Sequence, residues 1–183
     1  TNLLTFAAGS SATAASNTSF VNGPAAKVGT TAFTFPVGKS GAGLRTIGIS
    51  APAGSTTFRA EFFRAAAPNR GSLGSGITQV SACEHWTLDR TGGSDNVAVT
   101  LSWNSSSPCN MALYVTDLPT LRVARYDNGL SKWVDEGNAS NSGDNTDGTI
   151  TSNTVSSFSP FALASSDAGT NPLPIKFADV KAI

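Results

Sequence analysis

The stretch from Ala82 to Cys109 constrains the fold most, because it holds two alternating runs, two of the three tryptophans and both cysteines. Each run changes side-chain character with a period of two, as in a strand with one buried face. The in-phase residues are Glu84, Trp86 and Leu88 in the first run and Val97, Val99, Leu101 and Trp103 in the second. Between the runs, residues 91–95 include two glycines suited to a turn. We therefore predict a β-hairpin whose two tryptophans help to fill one core.

The remaining sequence has the composition of an all-β protein. Hydrophobic residues make up 39% and charged residues 13% of the 183 positions, and small polar residues are abundant, which suits an extracellular β-protein better than a helical cytosolic one. Further alternating runs occur at residues 31–38 and 57–64, the second with Phe58, Ala60 and Phe62 on one face. No stretch has a convincing helical period. We predict an all-β sandwich of two mostly antiparallel sheets.

Breaks in the strand pattern divide the chain into four parts. Residues 1–30 carry short apolar beads, which suit an N-terminal strand segment at the edge of a β-solenoid or an assembly arm, with a flexible tail as the alternative. Residues 31–165 form the predicted sandwich. Residues 166–174 are a predicted linker rich in turn-forming residues. Residues 175–183 resume strand alternation, so we expect a C-terminal strand that starts a next module or is exchanged between chains.

The charged residues argue against nucleic acid as a partner. Twelve basic and twelve acidic residues give a formal net charge of zero, and no basic cluster occurs. No apolar run approaches the roughly 20 residues needed to cross a bilayer, so no membrane span is expected. The sequence starts at Thr1 without a signal-like segment, as a mature product or an excised piece does.

The two cysteines, Cys83 and Cys109, lie at the ends of the predicted strand pair. This placement predicts one disulfide that ties the pair to the loop after Trp103. Two buried thiols are the alternative. A zinc site is weaker still, because one histidine and two cysteines do not complete a tetrahedral ligand set.

The sequence contains no convincing catalytic constellation. His85 is the only histidine, and no serine lies in a nucleophile-elbow pattern, so no hydrolytic triad can be assembled. Glu61 with Glu84, or Asp89 with Asp127, would supply glycosidase carboxylates only at a separation that sequence does not give. We predict that the chain is not an enzyme.

Calcium is the one cofactor that the sequence suggests. Asp144, Asn145 and Asp147 place oxygen ligands at short intervals beside glycines, and calcium takes 6–8 oxygen ligands as a rule. The loop lacks the later glutamate of an EF-hand, and hairpin loops use the same residues for backbone reasons alone. A structural turn is therefore the alternative.

Aromatic residues in the second half of the chain raise the question of glycan binding. Tyr114, Tyr126 and Trp133, together with Phe63 on the outward face of its strand, are candidates for a sugar-stacking surface, since aromatic faces pack against apolar ring faces. Packing inside the core or between strands is the alternative for all four.

Five ordered motifs resemble a module of large secreted surface proteins of Bacteroidota, which are exported by the type IX system. The motifs are residues 20–24 (FVNGP), 33–39 (FTFPVGK), 83–88 (CEHWTL), 158–161 (FSPF) and 171–174 (NPLP). The resemblance implies a module that follows a β-solenoid and precedes another β domain. It also implies an extracellular, cell-surface location and a role in adhesion or in building a surface layer or filament, and it supplies no catalytic residues.

The leading functional prediction is a non-enzymatic extracellular structural or adhesin-like module that assembles by strand addition. A carbohydrate-binding module of a secreted enzyme is the alternative. The expected partners are further copies of the chain in a homo-oligomer or filament, and surface glycans. The candidate assembly residues are the apolar beads near each end of the sequence, because an extended strand can add to an exposed sheet edge: Leu3, Leu4, Phe6, Ile175, Phe177 and Val180. A monomer whose ends fold back on itself stays open.

Overall fold

A computed structural model describes residues 2–105, 109 and 114–173 of the chain. These residues form fifteen β-strands and no helix, in sheets that do not close into a barrel. The prediction of an all-β fold is therefore confirmed, and the arrangement is consistent with a sandwich.

The larger sheet has eight strands in the order β1-β2-β7-β9-β15-β11-β12, with β8 paired to β15. Its pairs are antiparallel except for β1 and β2, which are parallel. The strands are β1 (Leu4–Phe6), β2 (Ala25–Gly29), β7 (Thr56–Phe63), β8 (Gln79–Val80), β9 (His85–Gly92), β11 (Leu121–Asp127), β12 (Lys132–Asp135) and β15 (Phe161–Ser165).

The second sheet has five antiparallel strands in the order β13-β14-β10-β6-β3. A separate two-stranded ribbon joins β4 and β5. The strands are β3 (Phe33–Phe35), β4 (Gly38–Lys39), β5 (Gly43–Leu44), β6 (Ile47–Ile49), β10 (Val97–Trp103), β13 (Ser140–Gly143) and β14 (Gly148–Val155).

The main core lies between the apolar faces of the two large sheets. Alternate residues of β7 and β9 point inward from one sheet, and alternate residues of β10 do so from the other, so a period of two in the sequence becomes one buried face. The expectation that Trp86, Val99, Leu101 and Trp103 are buried is confirmed. Phe58, Ala60 and Phe62 are inward-facing as predicted.

The predicted hairpin between the two alternating runs is wrong. β9 pairs with β7 and β15 in the larger sheet, whereas β10 pairs with β6 and β14 in the second sheet. Residues 93–96 carry the chain from one sheet to the other. Alternation indicates which face of a strand is buried, but it does not indicate which strand pairs with it. Two strands that face each other across a core therefore have the same sequence pattern as the two strands of a hairpin.

A second, smaller core covers the outer face of β11, β12 and β15. The loop at residues 65–78 folds over this face, and Trp133 Nε1 donates a hydrogen bond of 2.8 Å to the Pro68 carbonyl. The residues of this cluster are Ala67, Leu73, Ile77, Val80, Ala124, Tyr126, Trp133, Ala162 and Ala164. That part of the larger sheet is therefore buried on both faces.

The N-terminal segment is built into the sandwich, because β1 and β2 are the outermost strands at one side of the larger sheet.

The prediction that residues 166–174 form a linker is wrong for residues 166–173, which the structure describes. Asn171 and Leu173 are fully buried, and the Ala82 amide donates to the Leu173 carbonyl. The Asn171 side chain accepts hydrogen bonds from the backbone amides of Thr116 and Asp117, which explains why a polar stretch is fixed in place. Residues 175–183 lie outside the described part of the chain.

Replacing Leu101 by Ala tests the main core. Leu101 is fully buried and stands opposite Ile47 and Ile150 in the two neighbouring strands. We expect the free energy of unfolding to fall by about 2–5 kcal/mol, from lost transfer energy and the cavity left behind. Leu130→Ala is the matched control, since Leu130 is 60% exposed and should change stability by less than about 0.5 kcal/mol. Urea unfolding measures both, and equal effects would contradict the assignment of the core.

Candidate functional site

β1 is the outermost strand at one side of the larger sheet, with an open edge among the described strands. It pairs with β2 on one side, with Leu4 opposite Ala25 and Phe6 opposite Lys27, and no described strand pairs with its other side. Leu3 and Leu4 are 49% and 48% exposed. An unpaired strand edge with apolar side chains is a template for a further strand.

A buried lysine holds this edge against the sandwich. Lys27 Nζ donates hydrogen bonds to the carbonyl oxygens of Ala7 at 2.7 Å and Ser10 at 3.0 Å, just after β1. The same ammonium lies 5.1 Å from the centroid of the Phe33 ring, and the Phe6 ring packs 4.9 Å from Phe33. A buried cation needs such partners, so Lys27 fixes the chain that leaves β1.

The predicted assembly residues therefore separate into three groups. Leu3 and Leu4 are exposed at the edge strand. Phe6 is partly buried and packs against the main core, so it anchors β1. The remaining three, Ile175, Phe177 and Val180, lie outside the described residues.

The other outermost strands of the described sheets lack an unpaired side, exposed apolar side chains, or both. The far side of β12 is bonded to the covering loop, because the Trp133 amide donates to Ser72 and its carbonyl accepts from Gly74. β13 is exposed but contains only Ser, Asn and Gly. In β3, the apolar side chains of Phe33 and Phe35 are buried. Of the edges that the structure describes, β1 combines an open side with exposed leucines.

The predicted glycan-stacking surface is wrong for three of its four members. Tyr114 is buried in the main core. Trp133 is 0% and Tyr126 is 8% exposed, and their rings pack edge to face in the smaller core at 5.6 Å between centroids. The covering loop removes both rings from solvent, as the alternative interpretation expected. Phe63 is partly exposed, but its ring stacks on His85 at 5.0 Å and lies 5.5 Å from Lys39 Nζ.

His85 has structural contacts in this arrangement. Its Nδ1 lies 3.0 Å from the Ala65 carbonyl oxygen, and the ring stacks on Phe63. Burial lowers the pKa of His85 below its ordinary value of 6.5, against the opposing effect of the hydrogen bond to Ala65. These contacts orient the ring, and the absence of catalytic activity stays a prediction.

The candidate carboxylates occupy different environments. Glu61 forms a 2.8 Å ion pair with Lys39 near the surface, and Glu84 lies fully buried beside Arg45. Asp127 accepts from Arg125 and from the Leu130 amide, which closes the turn between β11 and β12. Glu61, Glu84 and Asp127 thus each have a partner that explains their position in the fold. Asp89 lies in β9 opposite Arg59 of β7.

The calcium candidates close the turn between β13 and β14. Asp144 Oδ1 accepts hydrogen bonds from the amides of Thr146 at 2.7 Å and Asp147 at 3.1 Å. Asn145 Nδ2 donates to Thr116, and Asp147 Oδ1 accepts from the Ser105 amide. Among the described residues, no group of three or more His, Cys, Asp or Glu is arranged to hold a metal ion. The described contacts of this loop are those of a turn.

Sequence reasoning missed a buried polar cluster beneath the disulfide, which we call the Glu84 cluster: Arg45, Ser81, Glu84 and Tyr114. Arg45 Nε lies 3.4 Å from Glu84 Oε2, with both side chains fully buried. The Tyr114 hydroxyl lies 3.0 Å from Ser81 Oγ. Burial, and next the charge of Glu84, raise the pKa of Tyr114 well above its ordinary value of 10.0.

The cluster had a signal in the sequence. Arg45 is in phase with Ile47 and Ile49, and Glu84 is in phase with Trp86 and Leu88. Two opposite charges at positions that alternation assigns to the core predict a buried ion pair, since a buried charge requires a partner.

The predicted disulfide between Cys83 and Cys109 is present, with 5.6 Å between the Cα atoms. Cys83 precedes β9 of the larger sheet, and Cys109 follows β10 of the second sheet. The bridge therefore links the two layers of the fold.

Comparison with known protein families, with curated proteins and with solved structures finds no match. The described residues also include no helix long and apolar enough to cross a membrane.

Asp144→Asn tests the role of the turn. Hydrogen bonds from the backbone amides of Asp147 and Thr146 lower the pKa of the Asp144 carboxyl below its ordinary value of 3.8. A carboxyl with a lowered folded-state pKa stabilises the fold above its unfolded pKa, and this contribution is lost as the pH falls through the folded value. We expect the variant to unfold at a lower temperature at neutral pH and to converge with the wild type in acid.

Thermal unfolding with calcium and with a chelator completes this test. The described turn contacts predict the same difference between variant and wild type in both solutions. If calcium raised the unfolding temperature of the wild type and left that of the variant unchanged, the carboxylate would be a metal ligand instead.

Proposed function

We propose that this chain is a non-enzymatic extracellular structural or adhesin-like module whose copies associate by adding an extended strand to β1. The observation that carries the proposal is the outer side of β1, with which no described strand pairs, beside the exposed Leu3 and Leu4. Strand addition gains backbone hydrogen bonds along the edge and buries alternate side chains together.

The sequence around β1 supports this assignment. The first charged side chain of the chain is Lys27, so residues 1–26 contain none of the charges that commonly prevent strand edges from pairing. Lys27 itself is buried and bonded to the chain after β1. The edge is thus fixed in position without a charge that opposes pairing.

The donor in this proposal is the segment from Ile175 to Val180 of a second copy. In the sequence, Ile175 and Phe177 alternate with Lys176 and Ala178, which is the pattern of a strand with one apolar face. Contacts that repeat head to tail do not close, and they give a filament.

The disulfide and the placement of the resemblance motifs support an extracellular, structural role. Disulfides persist in oxidising compartments and are rare in the cytosol. Four residues of the motifs, Phe35, Trp86, Phe161 and Leu173, are fully buried, so these positions serve packing. Export by the type IX system of a bacterium to the cell surface is part of the proposal.

Two changed chains test strand addition. One ends at Pro174, which retains the buried Asn171 and Leu173, and the other carries Leu4→Lys in the full chain. Each change removes burial of apolar side chains, which is worth about 1.5–3 kcal/mol for a leucine, or roughly tenfold to a hundredfold in association. We expect the full wild-type chain to form filaments in electron microscopy and larger species in light scattering, and both changed chains to require at least about tenfold more protein.

Leu130→Lys is the matched control, because it places the same charge at an exposed leucine on the turn between β11 and β12. It should assemble as the wild type does. A wild-type chain that stays monomeric at high concentration would overturn assembly, and a chain ending at Pro174 that forms the same filaments would overturn the donor.

A further inference from the structure

The two halves of the disulfide are unequally accessible. Cys109 is 1% exposed, whereas Cys83 is only partly buried. Thiol–disulfide exchange begins when a thiolate attacks one of the two sulfurs. We therefore expect a small thiolate from solvent to attack Cys83 rather than Cys109.

Attack at Cys83 fixes which sulfur must leave. The incoming thiolate forms a new S–S bond with Cys83 Sγ, and the bond between the two protein sulfurs breaks. Its electron pair goes to Cys109 Sγ, which becomes a thiolate, while Cys83 is held in a mixed disulfide with the small thiol. A second small thiolate then attacks the small thiol's sulfur in that mixed disulfide, which releases the oxidised small disulfide and the Cys83 thiolate. The first step in this scheme creates a negative charge on Cys109.

That negative charge would form beside a carboxylate. Glu84 Oε2 lies 3.6 Å from Cys109 Sγ, in a site where both residues are buried. A neighbouring like charge and a buried site both raise the pKa of a thiol, and a thiol with a raised pKa leaves more slowly.

The other members of the Glu84 cluster hold the carboxylate in place. Arg45 Nε is 3.4 Å from the same oxygen, and Tyr114 packs into the cluster with its hydroxyl on Ser81. The guanidinium offsets part of the carboxylate charge, but a carboxylate oxygen lies 3.6 Å from the sulfur itself. Removing the carboxylate would leave the Arg45 cation to stabilise the departing thiolate.

We propose that the charge of Glu84 protects the Cys83–Cys109 disulfide from exchange with small thiols. It does so by making Cys109 a poor leaving group after attack at Cys83. The bridge between the two sheets then survives in thiol-containing surroundings, whatever partner the module binds. This inference is independent of strand addition at β1.

Glu84→Gln tests the proposal, because it keeps the side-chain volume and removes the charge. We expect dithiothreitol to reduce the native disulfide roughly tenfold faster in the variant, as followed by maleimide capture of the released thiols. Glu61→Gln is the matched control, since it removes a carboxylate from the surface ion pair with Lys39 and should leave the rate unchanged. An unchanged rate in Glu84→Gln would overturn the proposal.

Destabilisation of the fold by Glu84→Gln would also speed reduction of the disulfide, and urea separates the two causes. Direct attack on the folded variant gives a rate that does not change in low urea, whereas reduction through unfolding accelerates with urea. In fully denaturing urea, the variant and the wild type should be reduced at the same rate. If the faster reduction of the variant follows its unfolded fraction, the proposal is wrong.

A second measurement uses the wild-type protein alone. Brief exposure to glutathione, followed by maleimide quenching and peptide mapping, locates the mixed disulfide. The proposal requires glutathione on Cys83 and maleimide on Cys109. The reverse assignment would overturn it even if Glu84→Gln failed to fold.

Discussion

The burial of two apolar sheet faces against each other is the constraint on which the other features of this protein depend. Trp86 and Leu88 on one sheet, and Val99 and Leu101 on the other, are removed from water only if the sheets stack. The chain must therefore cross between layers, as it does at residues 93–96. Stacking leaves the sheet edges outside the core, so the unpaired backbone groups of each outermost strand must be bonded or covered in another way.

The sequence predicted burial well and pairing poorly, for one physical reason. A period of two follows from local strand geometry, so Trp103 and Phe62 were assigned correctly to the core. The partner of a strand depends on non-local packing, which is why β9 and β10 were assigned to one hairpin although they lie in different sheets. The burial of Trp133 also needed information from outside its strand, because a loop some sixty residues earlier covers it, with Trp133 Nε1 bonded to Pro68.

For the candidate site, too, the sequence identified residues but not their arrangement. The exposed Leu3 and Leu4 were identified as apolar beads, but only the sheet order shows that they border an open edge. Asp144 and Asp147 have a spacing that suits both a metal site and a turn, and the backbone contacts of a turn are visible only in three dimensions. Arg45 and Glu84 were in phase with core positions, yet their pairing joins residues far apart in sequence.

The two edge strands of the larger sheet differ in whether the described chain occupies their outer side, and this difference bears on function. At β12, hydrogen bonds to Ser72 and Gly74 occupy the outer side of the strand. At β1, no described segment does so, and the ammonium of Lys27 is buried where it fixes the strand without projecting a charge along the edge. Burying a lysine is costly unless its bonds are satisfied, so the fold maintains β1 as an ordered, uncharged edge. An edge of that kind promotes unwanted pairing unless a specific partner strand covers it, and this is the physical reason to seek that partner in a second copy of the chain.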